Sequence, residues 1–173
     1  MSTKHSTTFL AIGDVHGQWH CVIEAIKSAT EILGHAPDLV LQVGDAEALR
    51  NEADLEAVHT PAKYRSMGDF SLLLPGDLAC PVYFIGGNHE PFQALDEAEE
   101  AAGGSPIPWG PNVFYLGRSG AMQLHSLNVA WLSGIYKETM FDKRGNGKKS
   151  NYHYGIIMVQ DIRRSNARDC QTT

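Results

Sequence analysis

Short apolar runs alternate with apolar residues at helical spacing in the first part of the chain. Phe9–Ile12 is an apolar run that ends at Gly13, and it predicts a buried strand. The next apolar residues recur at helical spacing up to Gly34 and predict a helix; they are Trp19, Val22, Ile23, Ile26 and Leu33. Residues 39–43 predict a second buried strand. This order of strand, helix and strand is typical of an α/β fold in which helices cover a parallel sheet.

The middle of the chain continues the same rhythm. Residues 47–58 are rich in Ala, Leu and Glu and predict a second helix that Pro61 ends. Residues 81–87 (PVYFIGG) predict a third buried strand, and Phe92–Ala102 predicts an exposed helix. Residues 103–112 (GGSPIPWGPN) contain three prolines and four glycines or serines, so they predict a loop.

The pattern changes after Asn112. Short apolar runs at residues 113–116, 121–124 and 129–132 are separated by Gly and Ser and predict the strands of a meander. We therefore place one domain over residues 1–150. The closing residues 161–173 (DIRRSNARDCQTT) hold few apolar side chains, and we expect residues 151–173 to form an atypical, poorly ordered tail.

Composition limits the class of protein. The chain has 173 residues, 43% of them hydrophobic, which fits one globular domain. It has no apolar run long enough for a membrane span and no signal peptide, so we expect a cytoplasmic protein without a membrane partner. Its three cysteines are scattered and indicate neither disulfides nor a zinc cluster. We expect Cys21 and Cys80 to fill core space.

The formal net charge of −6 is unevenly distributed. Residues 137–173 carry eight Lys and Arg against four Asp and Glu, whereas the rest of the chain is strongly acidic. An acidic body is not typical of a general nucleic-acid-binding protein. The basic tail is able to contact phosphates, but a solvated surface is the favoured interpretation, because charged surface runs are common.

Each of the three predicted strands ends in glycine followed at once by a side chain that can bind a metal. The first strand end carries Asp14 and His16, the second Asp45, and the third Asn88 and His89. Because the carboxyl ends of parallel strands meet at one edge of a sheet, we expect these groups to lie together. A single Gly-Asp at a strand end is most often a turn, but three such ends favour a site.

Oxygen and nitrogen donors of this mixture suit Zn, Mn or Fe. Two such ions can bind the attacking and leaving oxygens of a phosphoryl transfer. Asp45, alone on the middle strand end, is the natural carboxylate to lie between them, and Asp14 and His16 would hold one ion.

These motifs resemble the signature of the calcineurin-like metallophosphoesterase superfamily, with GDVHG at residues 13–17, GD at 44–45 and GNHE at 87–90. The resemblance implies a metallophosphoesterase-type sandwich of mixed sheets flanked by helices, with two divalent ions. It implies that Asp14 and His16 bind the first metal, Asp45 bridges, and Asn88 binds the second. It also implies that His89 contacts the substrate phosphate or protonates the leaving alcohol, and that a metal-bound hydroxide is the nucleophile.

The middle motif distinguishes two branches of this superfamily. Protein Ser/Thr phosphatases have Gly-Asp-x-Val-Asp-Arg-Gly there, whereas this chain reads VGDAEALRNEADL. The latter resembles RNA lariat debranching enzymes, and the resemblance extends over residues 9–137. Those enzymes cut a 2′,5′-phosphodiester, so the resemblance implies a phosphoester substrate such as RNA or a nucleotide.

Two departures from that family change the expectation. Debranching enzymes typically have cysteine at the position of Asp14, and aspartate indicates a broader or different phosphodiester substrate. The family's later His and Gly-His-x-His motifs are missing, since only His125 and His153 follow His89. We expect His125 to be structural and His153 to be a poor replacement. The second metal site would then be incomplete, and the fold would stop before its second half.

Several polar and aromatic residues are weaker candidates for substrate contact. The sequence alone also allows simpler roles for them, as a helix start, as solvated surface, or as a loop side chain packed over the core. The candidates are Asn51, Glu52, Lys63, Tyr64, Arg65, Trp109, Tyr136 and Lys137.

The sequence therefore predicts a metal-dependent phosphoesterase related to debranching enzymes. The alternative is a non-catalytic remnant that binds metal or nucleic acid, or that needs a partner fragment. A dinucleotide-binding Rossmann domain is disfavoured, because GDVHGQ has histidine where the Gly-x-Gly-x-x-Gly loop needs a small residue.

Overall fold

A computed structural model describes residues 6–58 and 61–134 of the chain. A five-stranded sheet forms its centre, in the order β1-β2-β3-β5-β4, and a separate two-stranded sheet pairs β6 with β7. The elements are β1 Phe9–Ile12, α1 Trp19–Leu33, β2 Leu39–Gln42, α2 Glu52–Ala57, β3 Val82–Phe84, α3 Phe92–Ala102, β4 Ile107–Gly110, β5 Val113–Tyr115, β6 Ser119–Leu124 and β7 Leu127–Leu132. The predicted α/β class, with mixed sheets flanked by helices, is confirmed.

The first three strands run parallel and in sequence order. Phe9 is in register with Leu39, and Val40 is in register with Val82. The fourth neighbour, β5, is also parallel to β3. The loops after β1, β2 and β3 therefore emerge at the same edge of the sheet, as the sequence predicted.

The core lies on one face of this sheet. Val40, Val82 and Phe84 are fully buried there and belong to the same apolar cluster as buried residues of α1 and α3. Burial of a side chain of this size contributes about 1.5–3 kcal/mol to folding. The opposite face is more open, since Phe9 and Val43 are about half exposed.

Helix α1 begins and ends where the sequence predicted. Trp19, Val22 and Ile26 are its buried residues, and they recur at helical spacing. The carboxylate of Asp69 accepts hydrogen bonds from the backbone N–H groups of Trp19 and His20 at the helix start. Gly34 ends the helix in the left-handed conformation that glycine adopts without strain.

The prediction of a helix over residues 47–58 is wrong for its first half. Helix α2 begins only at Glu52, and the side chain of Asn51 accepts a hydrogen bond from the N–H of Asp54 as its N-cap. Residues 46 and 47 instead donate their N–H groups to the side chain of Glu90, and Glu47 has a positive φ of 43°. Tertiary hydrogen bonds thus override the helical propensity of this stretch.

The prediction of a loop over residues 103–112 is also wrong in part. Ile107–Gly110 forms β4, antiparallel to β5, with Ile107 and Trp109 buried. The predicted meander is correspondingly divided, because β5 joins the central sheet and only β6 and β7 pair with each other. Pro108 is tolerated because β4 is the terminal strand of the described sheet, where a missing N–H costs little.

One smaller prediction also needs correction. Cys80 is buried as expected, but Cys21 is exposed, because it lies outside the stripe of α1 that buries Trp19, Val22 and Ile26. His125 lies in the exposed turn between β6 and β7 with a φ of 54°. Tyr136, Lys137, His153 and the predicted tail lie outside the described residues.

Within residues 6–58 and 61–134, the helices are too short or too polar to cross a lipid bilayer.

Thr8 and Asp38 join the starts of β1 and β2, and this pair predicts how stability depends on pH. The backbone N–H and the hydroxyl of Thr8 donate to the Asp38 carboxylate at 2.7 and 3.0 Å and lower its pKa from the usual 3.8. A lowered carboxyl pKa stabilises the fold above pH 3.8, and this contribution is lost as pH falls through the folded-state pKa.

We therefore expect Asp38→Asn to lower the melting temperature at neutral pH. In acid, the melting temperatures of the variant and of the unmodified chain should become equal. Thermal unfolding followed by circular dichroism across this pH range measures the difference. Glu31→Gln, at an exposed position of α1, is the control and should match the unmodified chain throughout. A pH-independent difference for Asp38→Asn would contradict the assignment.

Candidate metal centre

The loops after β1 and β2 are joined by backbone hydrogen bonds. The N–H of Asp14 donates to the carbonyl of Gly44 at 3.2 Å, and the N–H of His16 donates to the carbonyl of Asp45 at 2.9 Å. The side chain of Gln42, which is buried, also bonds both the N–H and the carbonyl of Gly44. The ends of the first two strands are therefore held side by side.

Four residues of these two loops have a left-handed backbone although none is glycine. The φ angles are 50° for Asp14, 47° for His16, 52° for Asp45 and 43° for Glu47. Such conformations cost about 1–3 kcal/mol each and persist only where the surrounding structure imposes them, and they concentrate at functional sites. The sequence did not reveal these left-handed conformations, which determine the directions of the four side chains.

Asp14, His16 and Asp45 form a group that can hold a metal ion. One ligand atom from each lies within 4.8 Å of the others. His16 Nε2 is 3.9 Å from Asp14 Oδ1 and 4.0 Å from Asp45 Oδ2. Two carboxylates and one imidazole are a fitting donor set for Zn, Mn or Fe, so the predicted convergence of the first two strand ends is confirmed.

The third strand end reaches the same place through Asp45. Asp45 Oδ1 accepts hydrogen bonds from the N–H groups of Asn88 at 2.7 Å and His89 at 3.0 Å. The other oxygen, Oδ2, is the one that faces His16. Asp45 thus connects the second and third strand ends while presenting one oxygen to the candidate site.

Gly87 makes this connection possible. A Cβ placed on Gly87 would overlap the side chain and the backbone nitrogen of Asp45. Gly44 also approaches Gly87, since a Cβ on Gly44 would lie 3.3 Å from the Gly87 Cα. These two glycines allow the close approach of the two loops.

Glu90 is a structural residue that the sequence reasoning did not assign. Its side chain is fully buried and accepts hydrogen bonds from the N–H groups of Ala46, Glu47 and Gly87. Burial raises the pKa of its carboxyl to about 8, although the N–H groups of Ala46 and Gly87 oppose the shift. Its position in the GNHE motif was the available signal.

Glu47 is a second residue that the sequence reasoning missed. Its Oε1 lies 3.4 Å from His16 Nδ1 and 3.6 Å from His89 Nδ1. The two imidazole rings are 5.2 Å apart, edge to face. The false prediction of a helix from residue 47 had concealed this carboxylate, because it placed Glu47 in an ordinary helical turn.

The weaker candidates divide into two groups. Trp109 is buried and donates its ring N–H to the carbonyl of Ala48, so its packing interpretation is confirmed. The Arg50 guanidinium covers the ring of Trp109 at 3.8 Å and pairs with the buried carboxylate of Asp54. These contacts brace the segment between the candidate metal centre and α2.

Two members of the second group, Tyr64 and Arg65, line a small cleft together with Glu47 and Ser66. Tyr64 and Lys63 are exposed, and the Lys63 ammonium lies 4.5 Å from the Tyr64 ring. Asn51 lies outside this lining, where its side chain caps α2.

The chain is similar to known phosphoesterases along most of its length. Residues 7–167 match the family described as calcineurin-like phosphoesterase. A lariat debranching enzyme of Homo sapiens is 37% identical over 138 residues, covering 76% of this chain and 24% of the relative. The lariat debranching enzyme of Danio rerio is 36% identical over 137 residues, which cover 76% of this chain and 22% of the relative. That of Caenorhabditis briggsae is 34% identical over 155 residues, which cover 88% of this chain and 28% of the relative. The chain thus spans about a quarter of these relatives' length.

The close approach of Gly87 to Asp45 predicts a steric effect. Gly87→Ala should lower the free energy of unfolding by about 1–3 kcal/mol, because the added methyl group displaces Asp45 from the third strand end. Urea unfolding measures the change. Gly104→Ala is the matched control, since a Cβ there meets nothing within 4 Å, and it should change stability by less than about 0.5 kcal/mol. Equal effects of the two substitutions would refute the steric assignment.

Proposed function

We infer, because the chain belongs to the calcineurin-like phosphoesterase family, that it hydrolyses a phosphoester with the help of divalent metal ions. The observation that carries this proposal is the convergence of Asp14, His16 and Asp45 at adjacent strand ends. The resemblance to debranching enzymes favours a phosphodiester, in RNA or a nucleotide, over a protein phosphate.

Asp14 and His16 would hold the first ion, Asp45 would contact both ions, and Asn88 would contribute to the second. The N–H of Asn88 is already bonded to Asp45, which supports its placement beside the bridge. Within these 173 residues, Asp45 and Asn88 are the donors proposed for the second ion. When bound, divalent ions of this kind acidify water and stabilise negative charge on phosphoryl oxygens.

His89 is the candidate general acid. Its backbone is fixed by Asp45, and its ring packs edge to face against the ring of His16. In the proposed reaction, water attacks phosphorus and loses one proton to the solvent, and the bond from phosphorus to the leaving oxygen breaks with its electron pair on that oxygen. His89 gives its proton to the leaving oxygen and regains one from the solvent. A neutral alcohol then leaves instead of a basic alkoxide, which lowers the barrier.

The exposed surface formed by Lys63, Tyr64 and Arg65 would contact the part of the substrate that flanks the scissile phosphate. Tyr64 offers an exposed ring for a nucleobase, and Lys63 and Arg65 offer positive charge for a phosphate. Asn51, Tyr136 and Lys137 remain candidate substrate contacts by their positions in the sequence.

A second candidate function is metal binding without turnover, alone or with a partner fragment. The grouping of donors favours it, because Asp14, His16 and Asp45, the group found among the described residues, would serve one ion, whereas a two-metal arrangement needs donors for both. Manganese binding and hydrolysis, measured on the same preparation, distinguish the two functions.

Substitution of Asp45 tests the proposed activity. Asp45→Asn should reduce manganese-dependent hydrolysis of bis-(p-nitrophenyl) phosphate by more than about 100-fold. Loss of a residue that only supports a metal ligand lowers metal affinity or activity by about 10–100-fold, and loss of the ligand itself should lower activity further. Glu31→Gln, remote on α1, is the control and should retain the full rate. Hydrolysis that survives Asp45→Asn, or manganese binding with no hydrolysis by the unmodified chain, would contradict the enzyme proposal.

Substitution of Tyr64 tests the proposed substrate class. Tyr64→Ala should raise KM for a 2′,5′-linked dinucleotide by about 5- to 100-fold, the equivalent of about 1–3 kcal/mol of base stacking. Tyr64→Phe keeps the ring and should retain the original KM. Neither change should affect bis-(p-nitrophenyl) phosphate, which has no nucleobase. An equal loss on both substrates would exclude stacking as the role of Tyr64.

A further inference from the structure

We propose that Glu47 is a positioning residue that orients the imidazoles of His16 and His89 and keeps the Nε2 atom of His16 available to a metal. This inference rests on the proposed metal site and extends it to a residue outside the ligand set. Glu47 Oε1 faces the Nδ1 atoms of both rings, at 3.4 Å for His16 and 3.6 Å for His89.

The contact with His16 selects one of its two neutral tautomers. A carboxylate only accepts hydrogen bonds, so the proton of His16 belongs on Nδ1, opposite Glu47. The lone pair of His16 is then on Nε2, which is the atom directed at Asp14 and Asp45. The other tautomer would direct a hydrogen into the candidate metal group and prevent ligation.

The contact with His89 is longer and acts mainly through charge. At 3.6 Å the two atoms are beyond an ordinary hydrogen bond, yet the negative oxygen still attracts the Nδ1–H edge of the ring. This attraction leaves the Nε2 edge of His89 turned away from Glu47. That is the edge from which a proton can pass to a leaving oxygen.

The structure holds Glu47 firmly enough for this role. Its side chain is 14% exposed, and its backbone N–H donates to Glu90 at 3.2 Å. Its backbone has a φ of 43°, which directs the side chain back toward the strand ends. In the described chain, Glu47 is the hydrogen-bond partner shown for His16 Nδ1.

Two substitutions separate the acceptor from the charge. Glu47→Gln keeps an oxygen that can accept from His16, whereas Glu47→Gly removes the side chain and suits the positive φ, so it should fold. His125→Gly is the matched control, because it makes the same exchange at another left-handed position in an exposed turn. Circular dichroism confirms folding of each variant.

The first measurement is the histidine tautomer in the metal-free protein. Nitrogen-15 NMR in alkaline buffer, assigned with His16→Gln and His89→Gln, should show the proton on Nδ1 of His16 in the unmodified chain and in Glu47→Gln. Glu47→Gly should shift His16 toward the Nε2–H form that free imidazole side chains favour. The His125→Gly control should leave the tautomer of His16 unchanged.

The second measurement is manganese affinity, followed by electron paramagnetic resonance. Glu47→Gly should weaken binding by about 10–100-fold, the range for loss of an outer-shell partner, and Glu47→Gln by much less. An unchanged tautomer in Glu47→Gly, or an unchanged affinity, would overturn the inference. The tautomer is read without turnover, so absent hydrolysis with a shifted tautomer would refute only the proposed function.

Discussion

Two carboxyl side chains, one after the second strand and one after the third, each accept hydrogen bonds from backbone N–H groups of the other strand end. The candidate site depends on this reciprocal arrangement. Asp45, after β2, accepts from the N–H groups of Asn88 and His89, after β3. Glu90, after β3, accepts from Ala46 and Glu47, after β2. Each loop therefore satisfies the polar backbone of the other, where neither helix nor strand is available to do so. Hydrogen bonds to an ionised carboxylate are worth about 1.5–3 kcal/mol each, and those to a neutral carboxyl group, such as Glu90 with its raised pKa, about 0.5–1.5 kcal/mol.

This reciprocal arrangement explains why a strained backbone persists in the same loops. A positive φ, which is unfavourable for residues other than glycine, occurs at Asp14, His16, Asp45 and Glu47. The loops keep this conformation because their backbone N–H groups form hydrogen bonds with partners across the strand ends. The result is that carboxylate and imidazole groups point outward from the sheet toward one another, as a cation site requires.

Local patterns predicted the elements that local physics controls. Helices α1 and α3 were predicted with their observed bounds, because apolar spacing and a terminating glycine act within a few residues. The strands β1 to β3 followed from buried apolar runs, and their order implied that Asp14, Asp45 and Asn88 would meet. Residues 47–51 and β4 were predicted wrongly, because contacts with Glu90 and with β5 decide their conformation.

The sequence by itself determined the class of fold, the three strand ends and the chemical types of the donors gathered there. Motif spacing is sufficient for this, since parallel strands in order must bring their carboxyl ends together. Only the tertiary structure decided which oxygen of Asp45 is free to face His16, and which carboxylate stands behind the two imidazoles. These depend on contacts between residues 31 to 44 positions apart, which no local pattern records.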